Sequence, residues 1–251
     1  MKRIDFEGKR TMKKKALLLV ACVGAIAFAA QDPLTLSRAY KEGEKDTYKM
    51  AITANLAIGS ADINMNMIQT VKKVFDNGDA DIETTVGDMR MSFGGNEIPT
   101  QAGGVAPQGR VQRFDKFGRP VGAAPAAGAD RGAAMMDQMS FLRYAMFTGD
   151  KPLVVGGSVD IDTKDEKAGT RTWGKVTLVK VENGVATISS ELKTTNKQTG
   201  ESKPMNLKFT SHVDTATSKL NKVDGKVTDL PANEQGMQID SVTILMERVA
   251  K

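Results

Sequence analysis

Along "TYKMAITANLAI" apolar and polar side chains alternate, with Tyr48, Met50, Ile52, Ala54, Leu56 and Ile58 on one parity and Thr47, Lys49, Thr53 and Asn55 on the other. A period of two assigns the first set to the buried face of a β-strand and the second to its wet face. In "ADIETTVGDMRMSF" the apolar parity set by Ile82 and Val86 changes after Gly87 to Met89, Met91 and Phe93. One extra residue in a β-bulge at the glycine returns both sets to the same face, which predicts a bulged, curved strand. "MNLKFTSHV" turns Met205, Leu207, Phe209 and Val213 inward, and "SVTILMERV" reads as a closing strand.

Two segments combine such strands with a turn. "TVKKVFDNGDADIETTV", Thr70 to Val86, and "TLVKVENGVATISSEL", Thr177 to Leu192, each place Asn-Gly between apolar strands, a strong hairpin signal. Their glycines, Gly78 and Gly184, stand 106 residues apart, and "VQRFDKFGRPV" around Gly118 and "KLNKVDGKVTDL" around Gly225 repeat at a spacing of 107. Two landmarks in register predict a duplicated unit.

Between the copies the pattern changes character. Residues 94–109 and 122–134 are rich in Gly, Ala and Pro and read as loop or linker. Met135, Met139, Leu142 and Met146 then recur at helical spacing, with Asp130 as N-cap and Gly149 as stop, so an amphipathic helix is expected to pack on the apolar face of the sheet. The expected organisation is a signal segment 1–29, a first β repeat 30–121, the linker and helix 122–149, and a second β repeat 150–251.

The N-terminal segment is read from charge and hydropathy. Lys13, Lys14 and Lys15 precede an apolar run from Ala16 to Ala30, fifteen residues, short of the ~18 to 20 needed to span a bilayer. This is the layout of a signal peptide, with Met12 as an alternative start. Small residues at Ala27 and Ala29 predict cleavage after Ala29, whereas Leu19-Val20-Ala21-Cys22 offers the competing reading of a lipid attached at Cys22. The expected location is therefore periplasmic or extracellular. Seven of the 35 Lys and Arg and two of the 30 Asp and Glu precede residue 30, which leaves 28 of each sign in the remainder. A neutral domain with 5% aromatic residues lacks the basic and stacking surfaces of a nucleic-acid binder.

Candidate chemistry is sparse. His212 is the single histidine and falls on the polar parity of its strand, and Cys22 is the single cysteine, so no nitrogen/sulfur metal site or nucleophilic triad is expected. "DNGDADIE", Asp76 to Glu83, has the acidic density of a calcium loop, but its counterpart "ENGVATIS" keeps the turn and drops the acids. "DIDTKDE", Asp160 to Glu166, lacks the glycine and glutamate of an EF-hand loop and reads as a charged strand end. No phosphate loop, dinucleotide fingerprint or nucleophile elbow is present, and neither an enzyme, a metal nor a cofactor is expected. A hydrolase would need a desolvated carboxylate pair in a cleft.

Methionine is the departure from ordinary composition. The chain has 14, and Met65, Met67, Met89, Met91, Met135, Met139 and Met146 fall on inward parities or on the expected helix. Flexible, polarizable thioethers fill gaps in cores and also suit surfaces that adapt to apolar partners, and these seven are the candidate ligand-binding set. A signal peptide, one-sided strands, a repeated hairpin and an apolar helix together resemble the bacterial lipoprotein-carrier type of half-barrel. "FTGDKPLVVGGSVDIDT", Phe147 to Thr163, also resembles the P-x-x-x-V-x-x-G-x-x-W junction of uncharacterised bacterial secreted proteins with a duplicated sheet, with Val159 near the place of the tryptophan. The resemblance implies a mainly β fold, a duplicated curved antiparallel sheet forming a half-barrel or incomplete barrel, that binds acyl chains or lipopeptides in the cell envelope. The resulting expectation is an exported protein holding an apolar small molecule or lipid between sheet and helix, the alternative being a scaffold module that meets an envelope protein.

Overall fold

The alternating segments form strands, and all the strands join one antiparallel sheet. The computed structural model describes residues 32–98, 109–121, 150–165, 170–196, 204–230 and 238–249. The signal segment with Cys22, residues 99–108, the linker from 122, and the expected helix with Asp130, Met135, Met139, Met146 and Gly149 lie outside the described residues.

The strands are β1 (Lys45–Leu56), β2 (Gly59–Val74), β3 (Ala80–Phe93), β4 (Asn96–Ile98), β5 (Arg110–Phe114) and β6 (Pro120–Val121) from the first half of the chain. The second half supplies β7 (Ser158–Asp165), β8 (Thr170–Glu182), β9 (Val185–Asn196), β10 (Met205–Asp214), β11 (Leu220–Thr228) and β12 (Ile239–Arg248). Their order is β6-β5-β3-β2-β1-β12-β11-β10-β9-β8-β7, with β4 added to β3, and the sheet does not close. Each half contributes a contiguous block of strands. The first and last strands, β1 and β12, pair at the centre from Tyr48↔Arg248 to Leu56↔Ile239 and join the blocks. "SVTILMERV" is thus the seam of the sheet, while β6 and β7 are its edges. No helix among the described residues is long and apolar enough to cross a membrane.

One face carries the core. Tyr48, Met50 and Ile52 of β1 are buried together with Met65 and Met67, Ile244 and Met246, Val223 and Val227, Leu207 and Phe209, Ile188 and Leu192, and Val176 and Leu178. Each such side chain contributes about 1.5 to 3 kcal/mol by leaving water. Ile58 departs from the expected pattern: it sits in the turn between β1 and β2 and is 70% exposed. The alternation ends where the chain reverses. Residues 94–98 of the expected loop likewise include a turn and the short strand β4.

The predicted bulge is present. Asn64 faces Arg90 and Asn66 faces Gly87, so Met65 stands opposite both Asp88 and Met89. Asp88, rather than Gly87, takes the left-handed conformation, at φ 49°. Met67↔Val86 and Ile63↔Met91 then lie on one face, as the phase change required.

The two Asn-Gly hairpins are both present, but their turns differ. Asn183 and Gly184 both have positive φ, at 50° and 74°, and link Glu182 to Val185 in a two-residue turn whose twist matches its strands. Phe75 to Asp79 makes a longer turn, with Gly78 at φ 85° and the Asp79 carboxylate accepting from the Asn77 amide at 2.9 Å. The acidic loop thus holds its own turn. Gly118 closes the same kind of turn between β5 and β6, at φ 80°, whereas Gly225 lies inside β11 opposite Phe209. Those two glycines are not equivalent, because a methyl at Gly225 would overlap the Phe209 ring.

Candidate functional site

Cross-strand register gathers the methionines. Met246 of β12 faces Met50 of β1, Met50 faces Met65 of β2, and the bulge brings Met89 of β3 beside Met65. At about 4.8 Å per strand the row of four spans about 14 Å. Met246, Met50 and Met65 are buried, while Met89 is half-buried against the same core. Flanking rows run Arg248, Tyr48, Met67 and Val86 on one side and Ile244, Ile52, Ile63 and Met91 on the other.

Four of the seven candidate methionines thus sit on adjoining rows of one face: Met65 and Met67 buried, Met89 and Met91 half-buried. Met135, Met139 and Met146 lie outside the described residues. Met50 and Met246 belong to the row but not to the candidate set. Alternation places both inward, and what the sequence withholds is the β1–β12 pairing that sets them side by side.

The same face turns polar toward the start of β1. Asp46 faces Gln69, and both are buried on the parity of Tyr48 and Met67. Residues 33–44 supply the groups that meet them. Leu34 and Leu153 exchange backbone hydrogen bonds at 2.8 and 2.9 Å, Arg38 N–H donates to the Lys116 carbonyl at 2.8 Å, and Gly43 N–H donates to the Val71 carbonyl at 2.8 Å. Arg38 then donates to Asp46 at 2.6 Å. Lys219, at the end of the β10–β11 turn, reaches Asp46 at 3.2 Å and also pairs with Glu44. Two cations and two carboxylates form a neutral cluster that ties the N-terminal segment to the second half of the sheet.

Beside the cluster is a cleft of about 30 Å³ lined by Leu36, Arg38, Tyr40, Tyr48, Gln69 and Phe114 among others. It has room for one or two waters. The Tyr48 hydroxyl is buried with no hydrogen-bond partner among the described residues, and Tyr40 donates to the Asp115 carbonyl at 3.2 Å. Burial pushes both tyrosines up to about 12. Asp46 is a buried and Glu44 a half-buried carboxylate, but each is in an ion pair and neither lines the cleft. As a chemical device the cluster is a latch.

The remaining sequence candidates fall on the opposite face or at an edge. His212 is half-buried, with Nδ1 3.4 Å from the Thr187 hydroxyl and Lys222 opposite it on β11. Asp160 to Asp165 belong to the edge strand β7. A second, open groove of about 960 Å³ is lined by Lys49, Asn64, Asn66, Asp88, Arg90 and Glu247, and also by Met50, Met65 and Met89 of the methionine row. The methionine rows and the latch therefore share one face, while Lys49, Asn64, Asn66, Arg90 and Glu247 of this groove belong to the opposite parity. No protein-family model matches the chain, and no curated protein matches it.

Proposed function

We propose that this chain is an exported, non-enzymatic protein that holds an apolar or lipid-like molecule against the methionine rows of a curved, incompletely closed sheet. The observation that carries the reading is the row Met246, Met50, Met65 and Met89, four flexible thioethers adjoining across four strands at the seam of the two halves. Unbranched side chains repack around ligands of varied shape where branched ones hold a fixed surface. In the sequence, Met135, Met139 and Met146 supply a second apolar surface of the same chemistry, suited to a helix that covers the bound molecule. The signal segment supports export with cleavage after Ala29, which discards Cys22 and leaves a diffusible, thiol-free binder.

Native mass spectrometry of the gently purified chain tests this. The expected result is a population carrying an additional lipid-sized mass, lost when half-buried Met89 is changed to Glu. The proposal fails if only the bare polypeptide mass is found and no apolar probe binds.

A further inference from the structure

The strand at one end of the sheet carries its own complement. β7 pairs with β8 at all eight positions without a bulge, and among the described residues nothing pairs with its other side. The opposite edge is β6, two residues long. A regular, proline-free edge leaves backbone N–H and C=O groups open to another strand. Along the outward face of β7 the side chains are Ser158, Asp160, Asp162 and Lys164, all exposed. Asp162 is held by Arg171 through two hydrogen bonds of 3.0 and 2.9 Å. Neither Asp160 nor Lys164 has an ion-pair partner among the described residues.

We propose that β7 pairs antiparallel with β7 of a second copy of this chain, Asp162 facing Asp162, so that each Asp160 meets Lys164 of the other copy. A two-fold axis through the sheet keeps the faces matched, so residues of equal parity must oppose each other. In this register residues 159–165 overlap and two new ion pairs form. The two Asp162 carboxylates at the centre arrive already neutralised by Arg171. Slipping the strands by two residues one way sets Asp160 against Asp162 of the other copy, twice, with like charges directly opposed. Slipping the other way sets Lys164 against Asp162, which Arg171 already neutralises, leaves Asp160 without Lys164 and shortens the overlap to residues 161–165. Charge order, the prior pairing of Asp162 with Arg171 and the length of overlap together select one register. Inside, Ile161 meets Thr163 of the second copy, so the twelve-stranded sheet continues across the axis. An interface resting on one strand pair is small, and the dimer is therefore concentration-dependent.

Sedimentation equilibrium over a concentration series tests the pairing through its symmetry. The chain is expected to pass from monomer to twice the monomer mass as concentration rises. Asp160→Lys alone and Lys164→Asp alone each oppose like charges and lose the dimer, while the combined D160K/K164D chain restores opposite charges and regains it. Both side chains are exposed, and an unchanged circular dichroism spectrum confirms that each variant is folded. Monomer mass at every concentration, a dimer that survives either single reversal, or failure of the double reversal to regain it overturns the proposal.

Discussion

Tyr40 and Tyr48 lie at the boundary between the apolar face and the latch, and they differ in one hydrogen bond. Tyr40 donates to the Asp115 carbonyl, and Tyr48 has no partner among the described residues. Changing Tyr40 to Phe is expected to cost about 1 kcal/mol, while Tyr48→Phe costs nothing or stabilises the fold, because a buried unsatisfied hydroxyl is itself unfavourable. Urea unfolding of the two variants checks this, and an equal loss in both contradicts it. Desolvation, which disfavours the phenolate, pushes both groups up to about 12. The unfolded chain releases these protons near pH ~10 while the native chain retains them. Their contribution to stability is thus complete below that pH and is lost as pH rises through about 12. A native absorbance titration is expected to show two of the chain's three tyrosines ionising late.

At the scale of elements, the latch is the feature whose loss tells most. Lys219 leaves the β10–β11 turn to meet Asp46 and Glu44, and Arg38 meets Asp46 from the N-terminal segment. Removing one charge from such a cluster strands the others in a poorly hydrated place, at about 3 to 5 kcal/mol. Lys219→Met is expected to destabilise by that order in denaturant unfolding, and a loss no larger than that of exposed Lys208→Met contradicts the latch. The parts of the fold legible in the sequence are those set by local parity. The one-sided β1, the bulge that reconciles Val86 with Met89 and Met91, and both Asn-Gly hairpins follow from alternation and turn chemistry. Asp46 and Gln69 share the parity of Tyr48 and Met67, so their burial was readable too. Their ion-pair and segment partners were not, because Arg38 lies outside any periodic stretch and Lys219 is 173 residues away from Asp46. Gly118 and Gly225 show the opposite failure. Equal spacing suggested equivalence, yet one residue needs a left-handed turn and the other makes room for Phe209.

For the whole molecule, the decisive arrangement is the meeting of β1 and β12 at the middle of the sheet. No local pattern encodes that pairing. It converts methionines scattered across the sequence into one row, and it moves the free edges to β6 and β7. The proposed ligand surface lies at the seam between the two halves, and the proposed self-pairing strand at one margin. The most direct test of the binding surface is NMR of the purified chain with methyl-labelled methionine, titrated with a long-chain fatty acid. The account predicts that the Met50, Met65, Met89 and Met246 methyl resonances shift together and saturate. Resonances of these four that stay in place throughout the titration would contradict it.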